Sequence, residues 1–175
     1  MDEERIEQIK SLIRDVPDFP KPGILFKDIS PILADPSGFN VCLDLLAEHY
    51  DGKPLDTIVG IESRGFIFGA ALAARMRKSF VPVRKPGKLP AETFAIEYEL
   101  EYGTDSVEIH VDALKPGDRV LVLDDLLATG GTAAATGQLV RKAGAELIGA
   151  AFVIELAFLS GSNRLDVPVF SLVKY

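Results

Sequence analysis

The segment Val120–Thr132, VLVLDDLLATGGT, concentrates the residue types best able to do chemistry in this chain. An apolar run ends in two acids, Asp124 and Asp125, and Ala128, Thr129, Gly130, Gly131 and Thr132 then lead into a helical pattern. Paired glycines let backbone amides turn toward an anion, two threonine hydroxyls add donors, and a helix start favours negative charge. That combination suits a phosphate. Carboxylates partner a phosphate poorly, but they accept hydrogen bonds well from the two hydroxyls of a ribose ring. Acids directly before a phosphate cradle therefore suit a ribose 5-phosphate. The spacing is not that of a Walker loop, because no Lys follows the glycines, nor is it GxGxxG. A capped strand–helix junction would explain Gly-Gly alone, but not the acids and both threonines in register.

A second group is cationic. Ser63, Arg64 and Gly65 follow the apolar TIVGI, while Arg84, Lys85 and Lys88 fall within VPVRKPGKLP. Cations gathered at strand ends in an acidic chain suit a polyanion, with Arg as a bidentate fork and Lys as a point charge. In isolation RKPGK reads as a solvated turn; beside the acid pair it reads as part of a ligand site. Glu155 lies in the apolar LIGAAFVIEL, where a buried acid is structural or lines a pocket. His49 and His110 carry no metal-ligand spacing and read as ordinary helix and strand positions.

These groups need a frame that brings strand ends together. Residues 2–14 place Ile6, Ile9 and Ile13 at helical spacing with Asp2 as cap, and DVPDFPKPG is rich enough in proline to read only as loop. Phe39, Leu43, Leu46 and Tyr50 mark a second amphipathic helix. TIVGI then reads as a strand, FIFGAALAARM as a helix of small residues and SFVPVR as a strand. FAIEYELEYG and DSVEIHVDAL alternate apolar and polar residues about Gly103-Thr104, which predicts a β-hairpin over about 93–110. RVLVLDD, LIGAAFVIEL and VPVFSLV read as buried strands, and Gly144 stops the helix that follows the glycine pair. Alternating strands and helices predict a three-layer α/β fold: a largely parallel central sheet flanked by helices, as one domain over residues 1–175.

Composition agrees with that frame. A chain of 175 residues that is 47% hydrophobic can bury a substantial core, which excludes a disordered chain. Lys and Arg total 19 against 26 Asp and Glu, and the resulting charge of -7 argues against a nucleic-acid-coating protein. No apolar run reaches the length of a membrane span, and the acidic, amphipathic N-terminus fits neither a secretory signal nor a transit peptide. Cys42 is the only cysteine, so no internal disulfide can form, and a reducing, cytoplasmic setting is expected.

The segment VLVLDDLLATGGT resembles the phosphoribosyl-diphosphate-binding motif of the type I phosphoribosyltransferases. PDFPKPGILFKDISPIL, GIESRGFIFG, VPVRKPGKLP and LEYGTDSVEIHVDAL also resemble that family's segments, in order, and match the branch acting on adenine. The resemblance implies transfer of 5-phosphoribosyl from 5-phosphoribosyl 1-diphosphate to adenine, giving AMP and diphosphate through an oxocarbenium-like transition state. It assigns the ribose hydroxyls to Asp124 and Asp125 and the 5-phosphate to Ala128–Thr132. Ser63, Arg64, Lys85 and Lys88 would hold the diphosphate beside a cis peptide at Glu62-Ser63, with Arg84 reaching a neighbouring subunit's site. Phe26 and Leu156 would sandwich the purine in a small N-terminal hood, with the backbone of Leu25 and Lys27 reading its edge. Lys27 stands where the family usually has Arg. Glu101 would handle the purine proton, and Tyr102 would help the 93–110 flap exclude water. Mg²⁺ would be held mainly through substrate and water, and a homodimer is implied. A phosphoribosyl-diphosphate sensor that regulates transcription would need a nucleic-acid surface this chain lacks. A transferase for an oxo-purine or orotate fits the Phe26–Lys27 loop and LEYG less well.

Overall fold

The computed structural model describes residues 3–99 and 103–175. Asp2, expected to cap the first helix, lies outside them. The chain divides into two compact units, Met1–His49 and Tyr50–Tyr175.

The first unit opens with helix α1 (Glu3–Ser11), in which Ile9 is buried. Strands β1 (Arg14–Pro17) and β2 (Leu25–Asp28) then pair antiparallel, from Arg14 opposite Asp28 to Pro17 opposite Leu25. The proline-rich segment is therefore not all loop, as the sequence led us to expect. Pro17 ends a strand in a two-stranded sheet, where its missing N–H interrupts no central ladder. The first helix accordingly stops short of residue 14, because Arg14 already belongs to β1. Helices α2 (Ser30–Ala34) and α3 (Pro36–Tyr50) follow, with Ile32, Cys42 and Leu46 fully buried.

The second unit is built on five parallel strands in the order β4-β3-β7-β8-β9. They are β3 (Thr57–Ile61), β4 (Ser79–Val83), β7 (Arg119–Leu127), β8 (Glu146–Glu155) and β9 (Val169–Lys174). Residues of β3 and nearly all of β8 are buried on both faces, the pattern of a covered parallel sheet. Helix α4 (Gly65–Met76) packs on the face carrying Gly60 and Phe80. A Cβ at Gly60 would come 2.6 Å from the Phe80 ring, so the absent side chain makes room for that phenylalanine. Helix α5 (Gly131–Lys142) packs with Leu139 and Val140 against the other face, among Val59, Ile61, Val81, Val83 and Val122.

Strands β5 (Thr93–Glu99) and β6 (Thr104–His110) form the expected hairpin, registered from Thr93 opposite His110 to Glu99 opposite Thr104. Val107 and Ile109 point into the core under α5. Reciprocal backbone bonds between Arg84 and Glu108, of 3.0 and 2.7 Å, tie the hairpin to the end of β4. Among the described residues, no helix is long and apolar enough to cross a membrane.

The strand order positions the site. From β3 the chain passes through α4 to β4 on one side, and from β7 through α5 to β8 on the other. The winding reverses between β3 and β7. In open parallel sheets, ligands bind in the crevice beyond the strand ends at such a reversal.

Candidate active site

Three loops leave the carboxyl edge of the sheet at this crevice. Glu62, Ser63 and Arg64 follow β3, Asp124 to Thr132 end β7 and open α5, and Arg84 to Lys88 follow β4. Gly65 allows the first two to meet: a Cβ there would stand 2.8 Å from Asp124 Oδ1 and 2.9 Å from the Leu123 carbonyl.

The glycine-rich loop folds as a nest. Asp124, Leu126, Leu127, Ala128, Thr129, Gly130, Gly131 and Thr132 are among the residues that line a cleft of about 100 Å³ at the start of α5. Gly130 is left-handed (φ +80), and a Cβ on it would meet the Gly161 carbonyl oxygen at 2.3 Å. Both facts demand glycine at this position. A neighbouring cleft of about 240 Å³ is lined by Glu62, Ser63, Arg64, Asp124, Asp125 and Leu126. Asp124 borders both.

The acid pair is electrostatically unequal. Asp125 is buried and receives the Arg64 Nε–H at 2.5 Å. Asp124 Oδ1 accepts the Asp125 backbone N–H at 2.8 Å. Burial, and then the adjacent charge of Asp125, push the Asp124 carboxyl well above the usual carboxylate range. Two carboxyl groups held together in this way are best relieved by hydroxyl donors or a cation.

The remaining cations meet acids that sequence reasoning had not singled out. Glu62 Oε2 accepts from Arg84 Nε at 3.1 Å and from the Lys85 backbone N–H at 2.9 Å, while Oε1 takes the Lys88 ammonium in a short contact. Burial raises the Glu62 carboxyl, but Lys88, the Lys85 amide and Arg84 outweigh it and hold the group below its usual range. Lys85 Nζ makes a short ion pair with Asp105 and donates to the Tyr98 hydroxyl at 2.9 Å. That hydroxyl also lies 3.0 Å from Thr132 Oγ1. The hairpin register sets Tyr98 opposite Asp105, but no local signal points to Lys85 as their partner. Glu62 follows a strand end and precedes Ser63-Arg64, but a single acid in that place reads as surface until its partners are seen. The peptide between Glu62 and Ser63 is cis.

The expected base-binding residues fall in both units. Leu25, Phe26 and Lys27 lie on β2 of the first, where Phe26 meets Phe19 edge-on at 5.1 Å between centroids and Lys27 Nζ pairs with Asp15 at 2.6 Å. In the second, half-buried Leu156 follows β8 and donates its N–H to the Leu127 carbonyl at 2.9 Å. Glu155, just before it, is buried and pairs with Lys174 at 3.0 Å. Glu101 and Tyr102 lie outside the described residues.

Residues 29–168 match the family model for the phosphoribosyl transferase domain. The chain is 61% identical over 170 residues to an adenine phosphoribosyltransferase of Synechococcus, covering 95% of this chain and 98% of that protein. The chain belongs to the adenine phosphoribosyltransferase family. Structures of the family agree with the fold. The enzyme of Thermoanaerobacter pseudethanolicus superposes with a TM-score of 0.95 at 54% identity, covering 97% of this chain and 99% of the other. That of Saccharomyces cerevisiae, complexed with an imino-altritol bisphosphate and adenine, gives 0.93 at 44% identity, covering 98% and 99%.

Proposed function

We propose that the chain transfers 5-phosphoribosyl from 5-phosphoribosyl 1-diphosphate to adenine, forming AMP and diphosphate in purine salvage. The observation that carries this reading is Asp124, shared by a phosphate-sized nest and a cleft floored by an acid pair. One phosphorylated sugar spans both. Family membership supports adenine as the acceptor.

The reaction breaks the anomeric C1–O bond ahead of bond formation to the purine nitrogen, so charge management outweighs nucleophile activation. The nest amides and the hydroxyls of Thr129 and Thr132 hold the 5-phosphate, and that anchoring keeps the sugar in place while its anomeric carbon moves between groups. Asp124 and Asp125 accept from the ribose hydroxyls and place negative charge beside a ring that becomes cationic. Ser63, Arg64, Lys85 and Lys88 receive the departing diphosphate, and Arg64 reaches it from its position on Asp125. Phe26 and Leu156 stack on the purine, the backbone of Leu25 and Lys27 reads its edge, Glu101 takes the purine proton, and Tyr102 shuts out water with the 93–110 flap.

Among the described residues, no group of three or more acids, histidines or cysteines is placed to hold a metal. Asp124 and Asp125 nevertheless offer the hard oxygen donors that Mg²⁺ takes, and they fit an ion that draws its other ligands from substrate and water. Bound there, Mg²⁺ supplies neutralisation of diphosphate charge. The same reading takes the enzyme as a cytoplasmic homodimer, with Arg84 serving the neighbouring subunit's site.

A panel of bases supplied with 5-phosphoribosyl 1-diphosphate and Mg²⁺ tests the assignment. AMP is expected to form from adenine, with little IMP or GMP from hypoxanthine or guanine. Brisk IMP synthesis without AMP would overturn the choice of base.

A further inference from the structure

The Lys85 ammonium, a proposed diphosphate ligand, is not waiting in open solvent. It is held by Asp105 in a short ion pair and donates to the Tyr98 hydroxyl at 2.9 Å. Tyr98 in turn donates to Asp105 at 3.2 Å, and its ring lies 5.4 Å from the ammonium. Both partners belong to the hairpin, Tyr98 on β5 and Asp105 on β6, directly opposite each other in register. Asp105 also accepts the Ser106 backbone N–H at 2.8 Å through its other oxygen, which fixes the carboxylate. Burial raises this carboxyl, but Lys85 and the Ser106 amide more than offset that and keep it below its usual range.

A carboxylate fixed on an ammonium competes with any other anion for it. We propose that Asp105 is a competing anion, built into the hairpin, that Lys85 must leave to reach a diphosphate. Asp105 is a positioning residue: it holds Lys85 on the hairpin, weakens diphosphate binding by competing for the same ammonium, and favours return of Lys85 to the hairpin once diphosphate leaves. The inference rests on the transferase reading for the identity of the diphosphate, and on the geometry for the competition itself. Lys85 and Asp105 are each about one-third exposed, 33% and 32%, so the competition is modest rather than absolute.

The test is calorimetric titration of the full chain with inorganic diphosphate in the presence of Mg²⁺. Asp105→Asn keeps the side-chain size and can still accept from Ser106, but removes the charge. Diphosphate is expected to bind about twofold to fivefold more tightly to this variant. Asp105→Glu, which restores the charge, should return the affinity toward the wild-type value. Binding of ribose 5-phosphate should shift by less than about twofold in both variants, because Asp105 does not line the nest. A disturbed fold would weaken both ligands, so a selective gain is not a structural artefact. Unchanged or weaker diphosphate binding by Asp105→Asn overturns the proposal. The titration involves neither base nor turnover, so a failure to make AMP would strike the functional reading alone.

Discussion

The two ends of strands β3 and β7 each carry an acid–arginine pair, and they are opposites. At the amino end Asp56 receives Arg119 through both carboxylate oxygens, at 2.7 and 2.8 Å, with the Arg119 backbone N–H adding a third bond at 3.0 Å. The Arg119 side chain and amide hold the Asp56 carboxyl well below its ordinary range. At the carboxyl end Arg64 reaches Asp125 through Nε at 2.5 Å, and a second carboxyl, Asp124, is crowded beside them and pushed upward. The first pair is matched charge for charge and lines neither of the two clefts at the carboxyl end. The second has one cation for two acids and opens onto two clefts. Satisfied charge fastens a strand entrance, while unsatisfied charge waits for a ligand.

The contrast can be broken by neutralising each end. Asp125→Asn is expected to cut kcat/KM by about 10²–10³-fold, lowering turnover and donor affinity together, since on the proposed reading it removes a ribose contact and negative charge near the cationic ring. Asp56→Asn should leave kcat/KM within about twofold and instead lower the melting temperature by a few degrees. Steady-state kinetics and thermal melts on both variants decide the matter. Equal activity losses would erase the distinction between the two ends.

Glu101→Gln extends the comparison to the proton role proposed for that residue. Turnover should fall by about 10–100-fold while donor binding is retained, because the proposed proton acceptor is lost without loss of a phosphate contact. Loss confined to donor affinity would contradict the proton role.

The smallest effect concerns stability. Because the folded protein raises the Asp124 carboxyl above its unfolded value, ionisation of that group opposes folding. The penalty is absent below the unfolded value near ~3.9 and complete above the raised folded value. Asp124→Asn should therefore melt at a higher temperature than the wild type at neutral pH, and the gap should close on acidification. A variant that melts lower at neutral pH would mean that the crowded acid is not strained.

Legibility followed distance along the chain. The acid pair and nest lie within Asp124–Thr132, so their clustering could be read from adjacent letters, and alternation alone exposed the hairpin. The parallel sheet was legible because its strands are continuous apolar runs. Pairs formed by folding were not. Arg64 meets Asp125 across 61 positions and Lys85 meets Asp105 across 20, and nothing local marks either contact. Glu62 was hidden for a related reason: a single acid beside cations looks like surface until Arg84, the Lys85 amide and Lys88 are seen converging on it. Strand β1 was obscured by Pro17, whose tolerance depends on where the strand lies in its sheet rather than on residue type.

The central claim is that one ribose 5-phosphate unit lies across the acid pair and the nest. A crystal structure of the chain with AMP tests it most directly. The account predicts the phosphate among the amides of Ala128–Thr132 and the ribose hydroxyls on Asp124 and Asp125. An AMP phosphate bound instead at Arg84 and Lys88, with the acid pair untouched, would contradict it.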